Sequence, residues 1–410
     1  MRCPTHNEND RRAMMNNYDF AVVGGGIVGL AIALRLLQRR PHATIAVFEK
    51  ESQVGTHQSG HNSGVIHAGV YYEPGSAKAI LCRAGLSRTI EFCMRHDIPF
   101  KQCGKLIVAT DEAEQARLEA VAARAVKNAV DCRLLGSEEL KDLEPNIRGS
   151  GALLVRETGI VDYNVICLKL AELVRELGGE IFLHSKLIGI AESSRSVKLE
   201  TTTGDFTGQQ VIACAGLHAD RIARMAGLEI DFAILPFRGD FYRLAPHLAQ
   251  VANHLVYPVP DPSLPFLGIH LTRTIDGAMM VGPSAMLALH REGYDKYGWS
   301  SPDVLEMLSF PGLWRLLGRY PSAGMREVGH SLSRRAYLRA VQKYCPSVEL
   351  SDLRSQSSGV RAQAVTRDGQ LIHDFLIKRS PRTTHICNAP SPAATAALPI
   401  ADSILDEIGV

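Results

Sequence analysis

The chain has 410 residues, 46% hydrophobic and 21% charged, a balance that argues against collagen-like, low-complexity and membrane-spanning chains and leaves room for two domains. Lys plus Arg number 45 against 43 Asp plus Glu, a net charge of +2 with no basic stripe for a phosphate backbone, so nucleic acid is not expected as a partner. Nine cysteines, an odd number without a C-x-x-C pair, exclude a disulfide framework and read as the reduced thiols of a cytoplasmic protein.

In chain order, residues 1–17 are polar and read as a flexible tail, in which Met14 or Met15 is an alternative start and no secretory signal is supported. Residues 18–23 read as a buried strand. Gly24-Gly25-Gly26-Ile27-Val28-Gly29 follows at once, and an apolar helix continues over residues 30–38. Strand, G-x-G-x-x-G, helix is a dinucleotide site: Gly24 permits the turn, Gly26 admits a pyrophosphate to the backbone, and Gly29 lets helix pack on strand. A second strand over residues 44–48 ends in Glu49, placed to hold a ribose hydroxyl and followed by Lys50. Glu49 argues against NADP, but the motif does not separate NAD from FAD.

After Glu49 no further βα unit begins. The chain enters a polar loop, Gly55-Thr56-His57-Gln58-Ser59-Gly60-His61-Asn62-Ser63-Gly64, whose hydroxyls, amides and backbone N–H groups suit phosphate, ribityl and isoalloxazine contacts. His57, His61 and His67 have no carboxylate or Cys beside them to complete a ligand set, and no metal is expected. Thr203-Gly204, six residues on, leads into Val211-Ile212-Ala213-Cys214-Ala215-Gly216, similar to the "TG, six residues, apolar strand, A-T-G" signature of two-dinucleotide-fold flavoproteins, with Cys214 and Ala215 where Ala and Thr are usual.

Seven segments together carry a resemblance along the whole chain: residues 57–67, Lys101-Gln102-Cys103-Gly104-Lys105-Leu106, Thr158-Gly159-Ile160-Val161-Asp162-Tyr163, Pro236-Phe237-Arg238-Gly239-Asp240, Tyr257-Pro258-Val259-Pro260, Gly359-Val360-Arg361-Ala362-Gln363, and Asn388-Ala389-Pro390-Ser391-Pro392-Ala393-Ala394-Thr395. The sequence resembles the FAD-dependent oxidoreductases of the D-amino-acid oxidase superfamily and, within it, the L-2-hydroxyglutarate dehydrogenases/oxidases. The resemblance implies an α/β fold: a discontinuous Rossmann-like FAD-binding domain (residues 18–85, 150–217 and 350–410) and an α+β substrate domain on a mixed sheet (residues 86–149 and 218–349). It also implies non-covalent FAD and oxidation of L-2-hydroxyglutarate to 2-oxoglutarate by hydride transfer to flavin N5. Electrons then pass to oxygen, a quinone or another acceptor. The expected cofactor contacts are Gly24, Gly26, Ile27, Val28, Gly29, Glu49, Lys50, Thr56, His57, Gln58, Ser59, Asn62, Ser63, Gly64, Ala215, Gly216, Gly359, Arg361, Ser391, Pro392 and Ala393. Rival readings are an FAD enzyme of another 2-hydroxy acid or an amino acid, and a flavin-binding electron-transfer or assembly protein without turnover.

Oxidising a 2-hydroxy diacid requires cationic forks for two carboxylates and a base at the hydroxyl. Arg361, in Gly-Val-Arg-Ala-Gln, is the first carboxylate candidate. Arg238, a charge inside an apolar run, holds either a carboxylate or a structural acid such as Asp240, and Lys105 is a candidate for the distal carboxylate. His61, His67 and His270 are alternatives for the base, and Tyr257 is a candidate hydrogen-bond donor to substrate. Residues 388–395 read as the opening of a final helix through residue 405. Residues 301–345 hold seven Lys/Arg and three acids among Phe, Leu and Trp, a pattern of either a solvated helical subdomain or a peripheral contact with the cytoplasmic face of a membrane, where a quinone would be met.

Overall fold

The strand that opens the fold, Asn17–Val23, starts one residue before the pattern predicts, inside the expected tail, and the helix after it runs Ile27–Arg39. The computed structural model describes residues 16–261 and 267–410, so residues 1–15 of that tail lie outside the described residues. The helix buries Ile, Leu and Ala on most of its circumference, which requires protein on several sides. It packs on its own sheet and against the helices Tyr163–Glu176 and Ala397–Glu407.

Asn17–Val23 lies between two parallel neighbours, Gly204–Ala213 and Ile45–Phe48, with Glu180–Phe182 outside the latter and Thr383–Asn388 alongside the end of the former. An antiparallel hairpin, Leu187–Glu192 and Val197–Thr201, extends this eight-stranded sheet. The parallel strands are continuous apolar runs, as strands covered on both faces must be. Val23 and Ala213 are neighbours in register, so the two glycine signals, Gly24 and Gly216, emerge side by side at the carboxyl end of the sheet, where α/β folds bind ligands.

The second eight-stranded sheet is mixed. Its order is Arg354–Ser355, Tyr242–Arg243, Met279–Gly282, His270–Arg273, Leu255–Pro258, Lys105–Ala109, Gly151–Val155 and Cys132–Gly136, antiparallel except between Leu255–Pro258 and Lys105–Ala109. Two of these strands fall on the far side of the expected boundaries: Gly151–Val155 and Arg354–Ser355 pair here, although residues 150–217 and 350–410 were expected with the first sheet. Leu106, Val108, Val256 and Leu271 pack to the back with Tyr337 and Val341, while Ile107, Leu255 and Tyr257 face the core around the first helix. Alternation along each strand therefore puts Lys105, Tyr257, His270 and Thr272 on one front face.

Phe232–Gly239 pairs along its length with Gly359–Thr366 in a separate three-stranded sheet. Residues 301–345 form helices, Ser301–Ser309, Pro311–Arg319, Pro321–Leu332 and Arg334–Gln342. The expected helix over residues 388–405 begins only at Ala397: Asn388 still belongs to a strand, and its amide donates to the carbonyls of Ile372 and Asp374 at 3.0 and 2.8 Å. No helix among the described residues is long and apolar enough to cross a membrane.

Candidate active site

Gly24 has φ +106°, and a Cβ there would lie 2.3 Å from the Cys214 carbonyl oxygen. Both facts demand glycine. A Cβ on Gly29 would lie 2.0 Å from the Gly24 oxygen, and one on Gly26 3.3 Å from Ser59 Oγ. The helix they open has no side-chain cap and no acid in its first turn, so its N–H groups and dipole are set for an anion. The Ile27 N–H donates to Ser59 Oγ at 3.0 Å. This cradle fits the diphosphate of a dinucleotide.

Glu49, expected at the ribose, is buried and accepts from Gly25 N–H at 2.8 Å and Glu51 N–H at 2.9 Å, so its carboxylate also pins the phosphate turn. Asn62 shapes the polar loop: its amide donates to the Gln58 and Ser59 carbonyls at 3.1 and 2.7 Å and its oxygen accepts from Gly64 N–H at 2.8 Å. Thr56 donates to the Gln53 carbonyl at 2.9 Å. Gln58 reaches Gly216, where a Cβ would lie 2.9 Å from its Oε1, and a Cβ on Gly359 would lie 2.7 Å from the His61 oxygen. Ser63 stands near the Tyr257 hydroxyl, and Ser391 near that of Tyr72. Ala215 accepts from His218 N–H at 2.9 Å, and Pro392 from Ala396 N–H at 2.9 Å, just after Ala393.

Carboxylates do reach the histidine loop, contrary to what local sequence suggests. His57 bonds Glu51 at 2.9 Å and the Tyr294 hydroxyl at 2.9 Å, and Glu292 accepts from Lys50 at 2.8 Å and His218 at 2.9 Å. Glu51, His57 and Glu292 are close enough together to share a cation, but the Lys50 ammonium stands among them, 2.8 Å from His57 Nε2. His61 stacks on Tyr294, ring centroids 3.8 Å apart, and its Nδ1 bonds the Ser358 carbonyl. It serves to seat the segment around Tyr294 on the loop.

The front face of the second sheet carries the other group. His270 stacks on Tyr257 and bonds Thr272 Oγ1 through Nδ1 at 3.0 Å. Burial, with Arg361, His67 and Lys105 adding to it, holds its imidazole well below the usual histidine range. His67 is pushed down to about 3 by burial, then by Lys105, Lys78 and Arg361. Lys105 is 1% exposed, and burial pushes its ammonium down to about 8. It lies 4.7 Å from the ring centroid of Tyr71 and 5.1 Å from that of Tyr257, and among the described residues no carboxylate pairs with it. Arg361 is likewise lowered by burial, against opposing effects of Tyr257 and Glu327.

Arg238 is the structural alternative of the two weighed for it. It is buried, its Nε bonds Asp240 at 2.8 Å, and its other nitrogens reach the Asp295 and Lys296 carbonyls and Ser331. Its forks are spent inside the protein. Sequence reasoning missed Tyr71, Tyr72 and Lys78, of which the Val70-Tyr71-Tyr72 aromatic pair just past the polar loop was the available signal. It also missed Glu292 and Tyr294, whose partners on the polar loop and beside it, Lys50, His57 and His61, are more than two hundred residues away.

A phosphate cradle at the carboxyl end of the parallel strands, together with a mixed sheet whose front face carries buried Lys105 and neutral His270 near Arg361 and His67, defines a dinucleotide-dependent oxidoreductase. The chain belongs to the FAD-dependent oxidoreductase family, DAO, whose model matches residues 19–406. It is 48% identical over 392 residues to the L-2-hydroxyglutarate dehydrogenase of Escherichia coli (strain K12), covering 95% of this chain and 93% of that one. It is 40% identical over 416 residues to the mitochondrial L-2-hydroxyglutarate dehydrogenase of Homo sapiens, covering 97% and 90%. Among solved structures, dithionite-reduced L-α-glycerophosphate oxidase from Mycoplasma pneumoniae with FAD bound superposes with a TM-score of 0.79 at 21% identity, covering 96% and 95%. FAD is therefore the cofactor, and the cradle residues fit it.

Proposed function

We propose that the protein oxidises L-2-hydroxyglutarate to 2-oxoglutarate. The observation that carries this reading is the front face of the second sheet, where Lys105 is buried with no carboxylate partner among the described residues and shares the face with the neutral imidazole of His270, while Arg361 and His67, from outside that sheet, are close enough to act on both. Such a pocket suits a small dianion with a proton to give up. Arg361 takes the carboxylate next to the reacting carbon, its planar fork fixing that carbon's orientation. His270 accepts the hydroxyl proton at Nε2, because Nδ1 is engaged by Thr272. Tyr257 holds the imidazole flat. The bound FAD, held by the Gly24–Gly29 turn, Glu49, the polar loop and the stretch around Ser391, supplies the acceptor for the hydride leaving the same carbon. Residues of the first sheet act as the cofactor domain and the front face as the substrate domain.

The reduced cofactor must be reoxidised, and the reading extends to a quinone reached from the cytoplasmic face of a membrane. Its support is the helical surface over residues 301–345, where Leu305, Trp314, Met325 and Leu332 are 68%, 58%, 72% and 69% exposed beside exposed Arg315, Arg319, Arg334 and Arg335. Co-sedimentation with phosphatidylglycerol vesicles should be lost in Trp314→Ser/Leu332→Ser; unchanged binding would remove this surface from the reading.

The substrate is tested by visible spectra of the purified protein before and after anaerobic L-2-hydroxyglutarate, with the D-enantiomer, L-lactate and L-glutamate as controls. Bleaching of the flavin band by L-2-hydroxyglutarate alone is expected. A band bleached by glutamate or lactate instead would move the assignment to an amino acid or another hydroxy acid, and one bleached by none would favour a carrier without turnover.

A further inference from the structure

The hydroxyl of Tyr71 is buried and makes no hydrogen bond. A phenol oxygen taken out of water without a partner costs on the order of 1–3 kcal/mol, so an orphan of this kind marks either a defect or a ligand contact. Its surroundings decide between the two. The Lys105 ammonium lies over the same ring, 4.7 Å from its centroid, and is itself buried with no acid paired to it among the described residues. Two unspent donors, one cationic, thus converge on one place. The neighbouring Tyr72 hydroxyl stands near Ser391, and its ring lies 5.2 Å from the Lys78 ammonium, which adds a second positive charge to the same wall. Tyr71 is carried by the segment after the polar loop and Lys105 by the mixed sheet, so the pair forms where the two halves of the fold meet.

We propose that the Tyr71 hydroxyl and the Lys105 ammonium together receive the carboxylate farthest from the reacting carbon, which makes Tyr71 the residue that selects a five-carbon diacid over a monoacid. The inference rests on the diacid reading above and deepens it. The hydroxyl donates one hydrogen bond to the carboxylate, the ammonium supplies its counter-charge, and the rings of Tyr71 and Tyr257 both lie within cation–π reach of that ammonium. A monoacid reaches neither the hydroxyl nor the cation and gains nothing from either. Discrimination of this type comes from leaving buried polar groups unpaired.

Tyr71→Phe keeps the ring over Lys105 and removes only the orphan atom. In the holoenzyme it should raise KM for L-2-hydroxyglutarate five- to twentyfold, with kcat within threefold, and leave kcat/KM for L-2-hydroxybutyrate within twofold. A second measurement is independent of turnover: glutarate should raise the melting temperature of wild-type holoenzyme more than butyrate does, and this difference should shrink in Tyr71→Phe. An unchanged KM for the diacid together with an undiminished glutarate effect would overturn the proposal, as would an equal loss on both substrates. If wild-type enzyme fails to oxidise L-2-hydroxyglutarate while glutarate still stabilises it through Tyr71, the diacid subsite stands and the reaction assigned above falls.

Discussion

His270 lies flat on Tyr257: the ring centroids are 3.9 Å apart and the planes 8° from parallel. The stack, with Thr272 on Nδ1, leaves Nε2 as the ring nitrogen of this neutral imidazole that can take up a proton. His270→Gln keeps a polar side chain of similar reach but cannot take up a proton. It should lower the rate of flavin reduction in stopped flow by roughly 10²–10⁴-fold, the usual contribution of a general base, with FAD content unchanged. Near-normal reduction would transfer the role to His67.

Lys105 sets an upper pH limit. Burial pushes its ammonium down to about 8, and the cation, the form present below that value, is the form that attracts a carboxylate. kcat/KM for the diacid should therefore hold steady from neutral pH and fall as pH rises through about 8, because kcat/KM reports the free enzyme. Lys105→Met should be slow throughout and lack this limb. A profile in the wild type that rises through the same pH would make Lys105 a base and not a clamp.

The same depression makes Lys105 a burden on the fold. Its proton is held more weakly in the folded chain, at about 8 against 10.5 for an ordinary lysine, so the unfolded state binds more protons between these values and stability rises with pH across that window. Below pH 8 both states are protonated and the whole penalty applies, about 3 kcal/mol for such a shift. Lys105→Met should be more stable than wild type by ~1–3 kcal/mol at pH 7 in urea unfolding, and the gain should shrink towards pH 10. A loss of stability at pH 7 would show that the ammonium is better satisfied than its surroundings indicate.

The cofactor cradle was legible in the sequence because every part of it is local: Gly24, Gly26 and Gly29 are set by one strand-to-helix turn, and Glu49 by the next strand. The front-face group was half legible. His270 stood out as an interruption of an alternating strand, Tyr257 only as the opening of a Tyr-Pro-Val-Pro segment that the family resemblance picks out, and Lys105 as a charge after a glycine in a strand-like segment. That the three share a face depends on a parallel pairing of Leu255–Pro258 with Lys105–Ala109, a contact between segments some 150 residues apart that no local pattern encodes. Arg238 was legible as a buried charge, yet its acid, two residues on, was only one of two candidates until the fold closed Asp295 and Lys296 around it. The boundary at residue 150 failed for a related reason: Gly151–Val155 is an apolar run that either sheet could accept, and only its partner decides.

Gly29 tests the cradle. Any side chain there lies within 2.0 Å of the Gly24 carbonyl oxygen, so helix and phosphate turn must part. Gly29→Ala should give protein with most of its FAD lost, read from the ratio of flavin to protein absorbance. Full flavin content would mean that the helix shifts without disturbing the turn.

Arg238 tests the opposite proposition, that a charge resembling a substrate fork is structural. Its partner Asp240 also accepts from Ser331 at 2.9 Å and Ser358 at 3.0 Å, and the guanidinium ties this group to the Asp295 and Lys296 carbonyls. The tied segment begins with Tyr294, whose ring covers His61 on the cofactor loop. Removing one side of a buried ion pair leaves the other charge uncompensated and costs about 3–5 kcal/mol. Arg238→Ala should lose stability of that size in urea unfolding and release FAD faster on dilution, because Tyr294 is no longer held in place. The KM for substrate, measured with FAD in excess, should stay within threefold of wild type. A tenfold rise in KM at unchanged stability would mean instead that the guanidinium leaves Asp240 when substrate enters and binds its carboxylate.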